Sequence, residues 1–443
     1  MTGISSYIFK LLSTLSAAVF LSLIIACETS KKQPNPTDIK EALENEGSKE
    51  AADGEILDFE AIAKKEKEEA FLKNFFSDST PIVTAETAFQ NTDSILMTFA
   101  GDIMAHTPNF SRGHYDEIYK DIESIIQASS FSFANLETPV DEKRDFSTYP
   151  SFNVHQSYSN AAIQAGFNVF SLANNHTNDQ GLEGIRETKS YFDTLMKDTA
   201  DSERPVYANG LKDTPSSPFT YNLIHKDGWT VLFMAVTEIL NQGAHASYIN
   251  YIRTDEKARK NFIQQVEELR AKNPCDIFVL SIHCSEPEYI LTINKTQAEF
   301  YHNLLDAGVD VVWANHPHVA KDWEVIADSE NIPRKMIFYA MGNSISGQRY
   351  SPSFSNPAMP REYTGDGFIA QVRFIKDDKG IHIVHVNPTL ITTYVTPELL
   401  CVIKRLDDNF VSELREKKLD KWANYLEQRI KLMKKIKGKT SWQ

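Results

Sequence analysis

Four short clusters of ligand-type residues each follow an apolar run: Gly101-Asp102, Asn135-Leu136-Glu137, Asn174-Asn175-His176 and His316-Pro317-His318. His283 follows a fifth run, 277–282. A buried strand that ends in a carboxylate, amide or imidazole holds that group at the rim of a rigid sheet. Together the five can assemble a divalent metal site.

Each cluster has its own chemistry. Gly101 lets the backbone turn sharply where the strand ends, and Asp102 is then a hard oxygen ligand. Asn135 and Glu137 are two residues apart, so in an extended segment one can ligate while the other orients. An apolar strand that ends in Asn174, Asn175 and His176 needs specific partners for those groups. An amide oxygen beside a neutral histidine suits Mn, Zn or Fe. Asp179 is placed to hold the second nitrogen of His176. His316 and His318, with Pro317 fixing the backbone between them, form a two-toothed clamp, or one of them binds a substrate anion. Any one of these histidines alone reads more simply as a hydrogen-bonded structural residue.

The elements that must position these groups alternate. Apolar runs at 95–100, 131–134, 167–172, 230–236, 277–282, 309–313 and 336–340 predict strands buried on both faces. Helical spacing fits 115–128, 156–165, 182–195, 256–271 and 297–307. Such alternation predicts an α/β fold with sheets sandwiched by helices. Runs at 368–374 and 381–386 flank Lys376-Asp377-Asp378-Lys379-Gly380 and predict a hairpin completing the second sheet. After Pro397, Val411, Leu414, Trp422, Leu426, Met433 and Ile436 predict one long C-terminal helix. The loop 344–366 is long enough to shape or cover a pocket.

The first 26 residues carry one basic residue, Lys10, and then an apolar stretch from Leu11. That stretch is shorter than the roughly 20 residues a spanning helix needs, so it reads as a secretory signal. Ala26-Cys27 is similar to a bacterial lipobox, which predicts lipid on Cys27 and a folded part outside the cytoplasm, on the periplasmic face or the cell surface. Residues 28–90 then divide into a polar tether and a lead-in helix. Of the other cysteines, Cys275, Cys284 and Cys401, one pair is open to bridging, though free buried thiols are the simpler expectation. With 46 basic and 60 acidic residues, the net charge of −14 argues against a nucleic-acid partner.

The order Gly-Asp-Ile-Met, Asn-Leu-Glu, Leu-Ala-Asn-Asn-His, strand-His, His-Pro-His-Val and Met-Gly-Asn resembles the CapA family over about 94–386. These are poly-γ-glutamate capsule-synthesis proteins with a calcineurin-like metallophosphatase fold. The resemblance implies a four-layer αββα sandwich of two mixed sheets over 91–395, with 396–443 as a helical extension. It implies a divalent metal held by Asp102, Glu137, Asn175, His176, His283, His316 and His318. Asn135, Asn174, Asp179 and Asn343 would line the pocket. The family's His-Trp-Gly is replaced here by His283-Cys284-Ser285-Glu286-Pro287-Glu288-Tyr289, and the Asp-x-His of ordinary metallophosphatases is missing after the first strand.

Bound metal would polarise a phosphoryl or amide carbonyl oxygen. His283, Glu286 and Glu288 are the candidates for proton transfer. Two functions follow from these readings. One is a membrane-anchored, metal-dependent hydrolase or transferase acting on a phosphoester or γ-glutamyl amide in capsule synthesis. The other is a non-catalytic anchoring or export component that binds an anionic polymer and partners with other capsule synthesis or export proteins.

Overall fold

The computed structural model describes residues 93–442; the apolar leader with Cys27, the tether and the lead-in helix lie outside them. Its strands are β1 (Asp93–Ile103), β2 (Phe131–Leu136), β3 (Val169–Ser171), β4 (Tyr207–Asn209), β5 (Asn222–Lys226), β6 (Trp229–Thr237), β7 (Ile277–His283), β8 (Val311–Asn315), β9 (Trp323–Ala327), β10 (Pro333–Phe338), β11 (Asn343–Ile345), β12 (Asp366–Asp377), β13 (Gly380–Val395), β14 (Cys401–Arg405) and β15 (Gly438–Trp442). The α-helices are α1 (Thr107–Phe110), α2 (Glu123–Gln127), α3 (Gln156–Gln164), α4 (Gly181–Asp198), α5 (Glu256–Lys272), α6 (Lys295–Asp306), α7 (Asp408–Glu416) and α8 (Asp420–Met433). None of the described helices is long and apolar enough to cross a membrane.

Two mixed sheets result. One runs β14-β13-β12-β1-β2-β3-β4 with β11 also paired to β1, and the other runs β15-β9-β10-β8-β7-β6-β5. Strand periodicity explains their stacking. On β6, Val231, Phe233 and Ala235 face one apolar core while Leu232, Met234 and Val236 face another. The first core lies between the sheets, where Phe133 meets Phe233 at 5.5 Å and Phe99 meets Trp313 at 6.1 Å. The second lies beneath α5 and α6, with Phe262, Val266, Tyr301 and Leu304. Strands buried on both faces are therefore a consequence of the layering, as their unbroken apolar runs predict.

Three expectations need correction. The β12–β13 hairpin joins the first sheet, with β12 antiparallel to β1 from Asp93↔Lys376 to Phe99↔Ala370. This pairing puts β1 inside the sheet, where its apolar residues gain neighbours on both edges. The helix expected at 115–128 is a 3-10 turn plus the short α2, because the Ile118 carbonyl accepts from Ile403 N–H of β14 and is lost to a continuous helix. The C-terminal stretch is two helices: Lys418 turns left-handed at φ 58°, and Leu419 N–H caps the Leu414 carbonyl. Strands β14 and β15 from this stretch pair with β13 and β9.

Candidate metal centre

The parallel strands of both sheets end at one edge, between the layers, which is where open α/β sheets hold ligands. There β1 delivers Asp102, in register with Asn135 of β2 and Asn343 of β11. From the other sheet β7 delivers His283, in register with Asn315 of β8. His316 and His318 follow directly. Gly101 does not turn the chain; β1 continues through it to Ile103. Its role is close approach, since a Cβ there would lie 1.7 Å from the Gly342 carbonyl oxygen.

Five of the seven expected ligands converge, and Asn175 joins them through His283. Ligand-type atoms of Glu137, His316 and His318 lie within 4.8 Å of one another, as do those of Asp102, Glu137 and His283. All are almost fully buried. His283 Nε2 is 2.8 Å from Asn175 Oδ1 and 3.6 Å from Glu137 Oε1. His318 Nδ1 is 3.1 Å from Asn343 Oδ1 and 3.3 Å from Asp102 Oδ2, while its Nε2 is 3.8 Å from Glu137 Oε1. Asn135 donates its amide to Asp102 Oδ1 at 2.8 Å. His176 stands at the edge of the group, its Nδ1 on Asp179 Oδ2 at 2.7 Å as the sequence predicts. Asn174 holds the turn, accepting from His176 N–H and donating to the Leu136 carbonyl.

The backbone of the histidine pair is not the extended segment expected. His316 sits at φ 107° and His318 at φ 55°, both left-handed, and this turn brings the rings to 5.8 Å. Such conformations cost about 1–3 kcal/mol each and persist where surrounding structure enforces them.

Neither oxygen of Glu137 has a hydrogen-bond donor, nor do His316 Nδ1, Asn135 Oδ1 or the amide oxygen of Asn315 find a partner. Buried polar groups are nearly always paired, so orphaned acceptors concentrated at one point fit a cation. Electrostatics agrees. Burial first, then the Asp102 carboxylate, pushes Glu137 well above the usual carboxylate range. Burial opposes protonation of His318, yet Glu137 and Asp102 outweigh it and push its pKa up to about 10. Two buried carboxylates thus draw positive charge inward. His283 and His316 are held well below the usual range, by burial first and neighbouring histidines second, and are already in the neutral form that ligates, whereas His318 has to release its proton to do so.

Glu286 is engaged elsewhere, taking Lys321 Nζ at 2.8 Å and Asn294 N–H at 3.1 Å. Glu288 is half-buried and acts electrostatically on Glu137 and His318. Cys275, Cys284 and Cys401 are all free, and burial first, then Glu286, raises the Cys284 thiol well above its ordinary value.

One neighbour escaped the sequence reading. His106 lies near enough that His318 and His176, after burial, help hold its pKa down to about 3. It ends the run Ile103-Met104-Ala105, so the same pattern that marks the other clusters marks it too.

The family model described as bacterial capsule synthesis protein PGA_cap matches residues 96–348, and so takes in every strand end that carries these groups. The chain belongs to this family. It is similar to "PGA biosynthesis protein CapA" of Bacillus subtilis, at 26% identity over 58% of this chain and 65% of that protein. It is also similar to "Capsule biosynthesis protein CapA" of Bacillus anthracis, at 25% over 58% and 61% respectively. The chain thus spans somewhat under two thirds of the length of these relatives. Among solved structures it matches calcineurin-like phosphoesterase YfkN from Bacillus subtilis, with a TM-score of 0.38 and 10% identity over 76% of this chain and 99% of that one. A hypothetical protein from Thermus thermophilus matches with a TM-score of 0.37 and 16% identity over 67% and 98%.

Proposed function

We propose that this chain is a metal-dependent hydrolase or transferase of capsule-polymer synthesis, acting on a phosphoester or a γ-glutamyl amide. The observation that carries the reading is the buried, donor-less Glu137 carboxylate ringed by His283, His316 and His318. Membership in the capsule synthesis family supports it. A divalent metal, Mn, Zn or Fe, held by Asp102, Glu137, Asn175, His176, His283, His316 and His318 would supply Lewis acidity toward an anionic or carbonyl oxygen.

The chain's own residues orient and move protons. Asp179 fixes the His176 ring, and Asp102 with Asn343 fixes His318. Among the candidate proton carriers, Glu286 holds the loop after β7 through Lys321, and Glu288 at the rim is the carboxylate left to serve a leaving group. Attachment to the outer side of a bacterial membrane through lipid on Cys27, and contact with other capsule synthesis or export proteins, belong to the same proposal. These rest on residues 1–27 and on the family.

The test is turnover of a panel of phosphoesters and γ-glutamyl amides by protein loaded with Mn or Zn. Turnover of either class that is lost in Glu137→Gln is the expected result. A metal-loaded protein that turns over neither, yet binds polyglutamate, overturns the enzymatic reading in favour of anchoring.

A further inference from the structure

We propose that His106 is a fixed, neutral N–H donor that binds an anionic oxygen of the substrate beside the metal centre. This rests on the metal-dependent reading above and adds a substrate contact to it. His106 Nδ1 accepts the Gly347 N–H at 3.2 Å. Only an unprotonated nitrogen can accept, so the ring proton is on Nε2. The close approach needs glycine, because a Cβ at 347 would lie 2.5 Å from the His106 Cβ. The backbone is pinned as well: His106 N–H donates to Asn109 Oδ1 at 3.0 Å, and its carbonyl accepts from Asn109 N–H at 2.8 Å. Phe152 meets the His106 ring edge-on at 5.1 Å and the His176 ring at 4.6 Å, so one aromatic spaces the two imidazoles.

The ring is half-buried, and its Nε2–H meets no acceptor among the described residues. A donor held this firmly next to a cation site matches an oxygen of a phosphoryl or carboxylate group, two anions that share the same acceptor chemistry. Being neutral, it selects and positions the anion and does not deliver a proton.

The experiment measures the affinity of inorganic phosphate and of glutamate by calorimetry in the presence of Mn, for wild type, His106→Phe and His106→Gln, with metal content determined on each sample. His106→Phe is expected to weaken one probe about tenfold, the scale of one hydrogen bond to a charged group, and His106→Gln to restore most of it. Loss confined to phosphate assigns a phosphoryl oxygen; loss confined to glutamate assigns a carboxylate. Nitrogen NMR of the wild type, which does not depend on how any variant folds, is expected to show the Nε2–H tautomer. Unchanged affinities in His106→Phe, binding of neither probe by wild type, or a proton on Nδ1 overturns the assignment. A protein without metal that still shows the His106 difference keeps this donor and removes the metal-dependent reading.

Discussion

Glu137 Oε1 stands 3.6 Å from His283 Nε2, and neither Glu137 oxygen receives a hydrogen bond. Such a carboxylate is a cost to the metal-free fold, because burial and the nearby Asp102 both oppose its charge. Glu137→Gln is therefore expected to raise the thermal midpoint in EDTA by about 2 °C or more while losing metal. Differential scanning calorimetry with and without Mn checks this; a lower midpoint in EDTA contradicts it.

Gly101 touches the Gly342 carbonyl where β1 and β11 bring Asp102 and Asn343 into register. No rotamer choice relieves a Cβ at 1.7 Å from a backbone oxygen. Gly101→Ala is expected to cost more than about 4 kcal/mol, the range reserved for enforced backbone displacement. Urea unfolding measures it, and a loss under about 1 kcal/mol would show that the two strands part easily.

The fold's outline was legible because each core strand is an apolar run, and the layering makes both of its faces apolar. Short strands such as β4 (Tyr207–Asn209) and β11 (Asn343–Ile345) carry too few residues to show a period. The side on which β12 pairs was hidden for a different reason: pairing partners are set by packing across the sandwich and leave no local mark. At the site, the amide, carboxylate and imidazole types were readable. The left-handed turn at His316 and His318 was not, since nothing but the surrounding structure forces a non-glycine residue there. His106 sits three residues beyond the last residue of β1, outside the Gly101-Asp102 strand end.

Behind the site, the guanidiniums of Arg349 and Arg429 both hold Asp366, each at 2.6 Å, and all three are fully buried. They join α8 to β12 and to the loop whose Thr364 carbonyl accepts from Asn343. Removing one member of a buried ion cluster costs roughly 3–5 kcal/mol, because the remaining charges lose their balance. Arg429→Met is expected to lose that much in urea unfolding; neutrality would show that Arg349 alone suffices.

His302 gives a pH signature away from the site. Burial works against its charge, but the hydrogen bond to Glu324, 3.1 Å away, outweighs this and raises its pKa. A raised folded-state value means the contribution is complete below the unfolded pKa of about 6.5 and disappears as pH climbs through the folded value. The stability difference between wild type and His302→Gln should therefore shrink as pH rises above about 6.5. A difference that grows with pH contradicts the Glu324 pairing.

Metal content of the purified protein, by elemental analysis after incubation with Mn or Zn and removal of excess, tests the site most directly. At least one equivalent bound by the wild type and lost in His316→Ala is the predicted result. Wild type that retains no metal, or His316→Ala that retains as much as wild type, contradicts it.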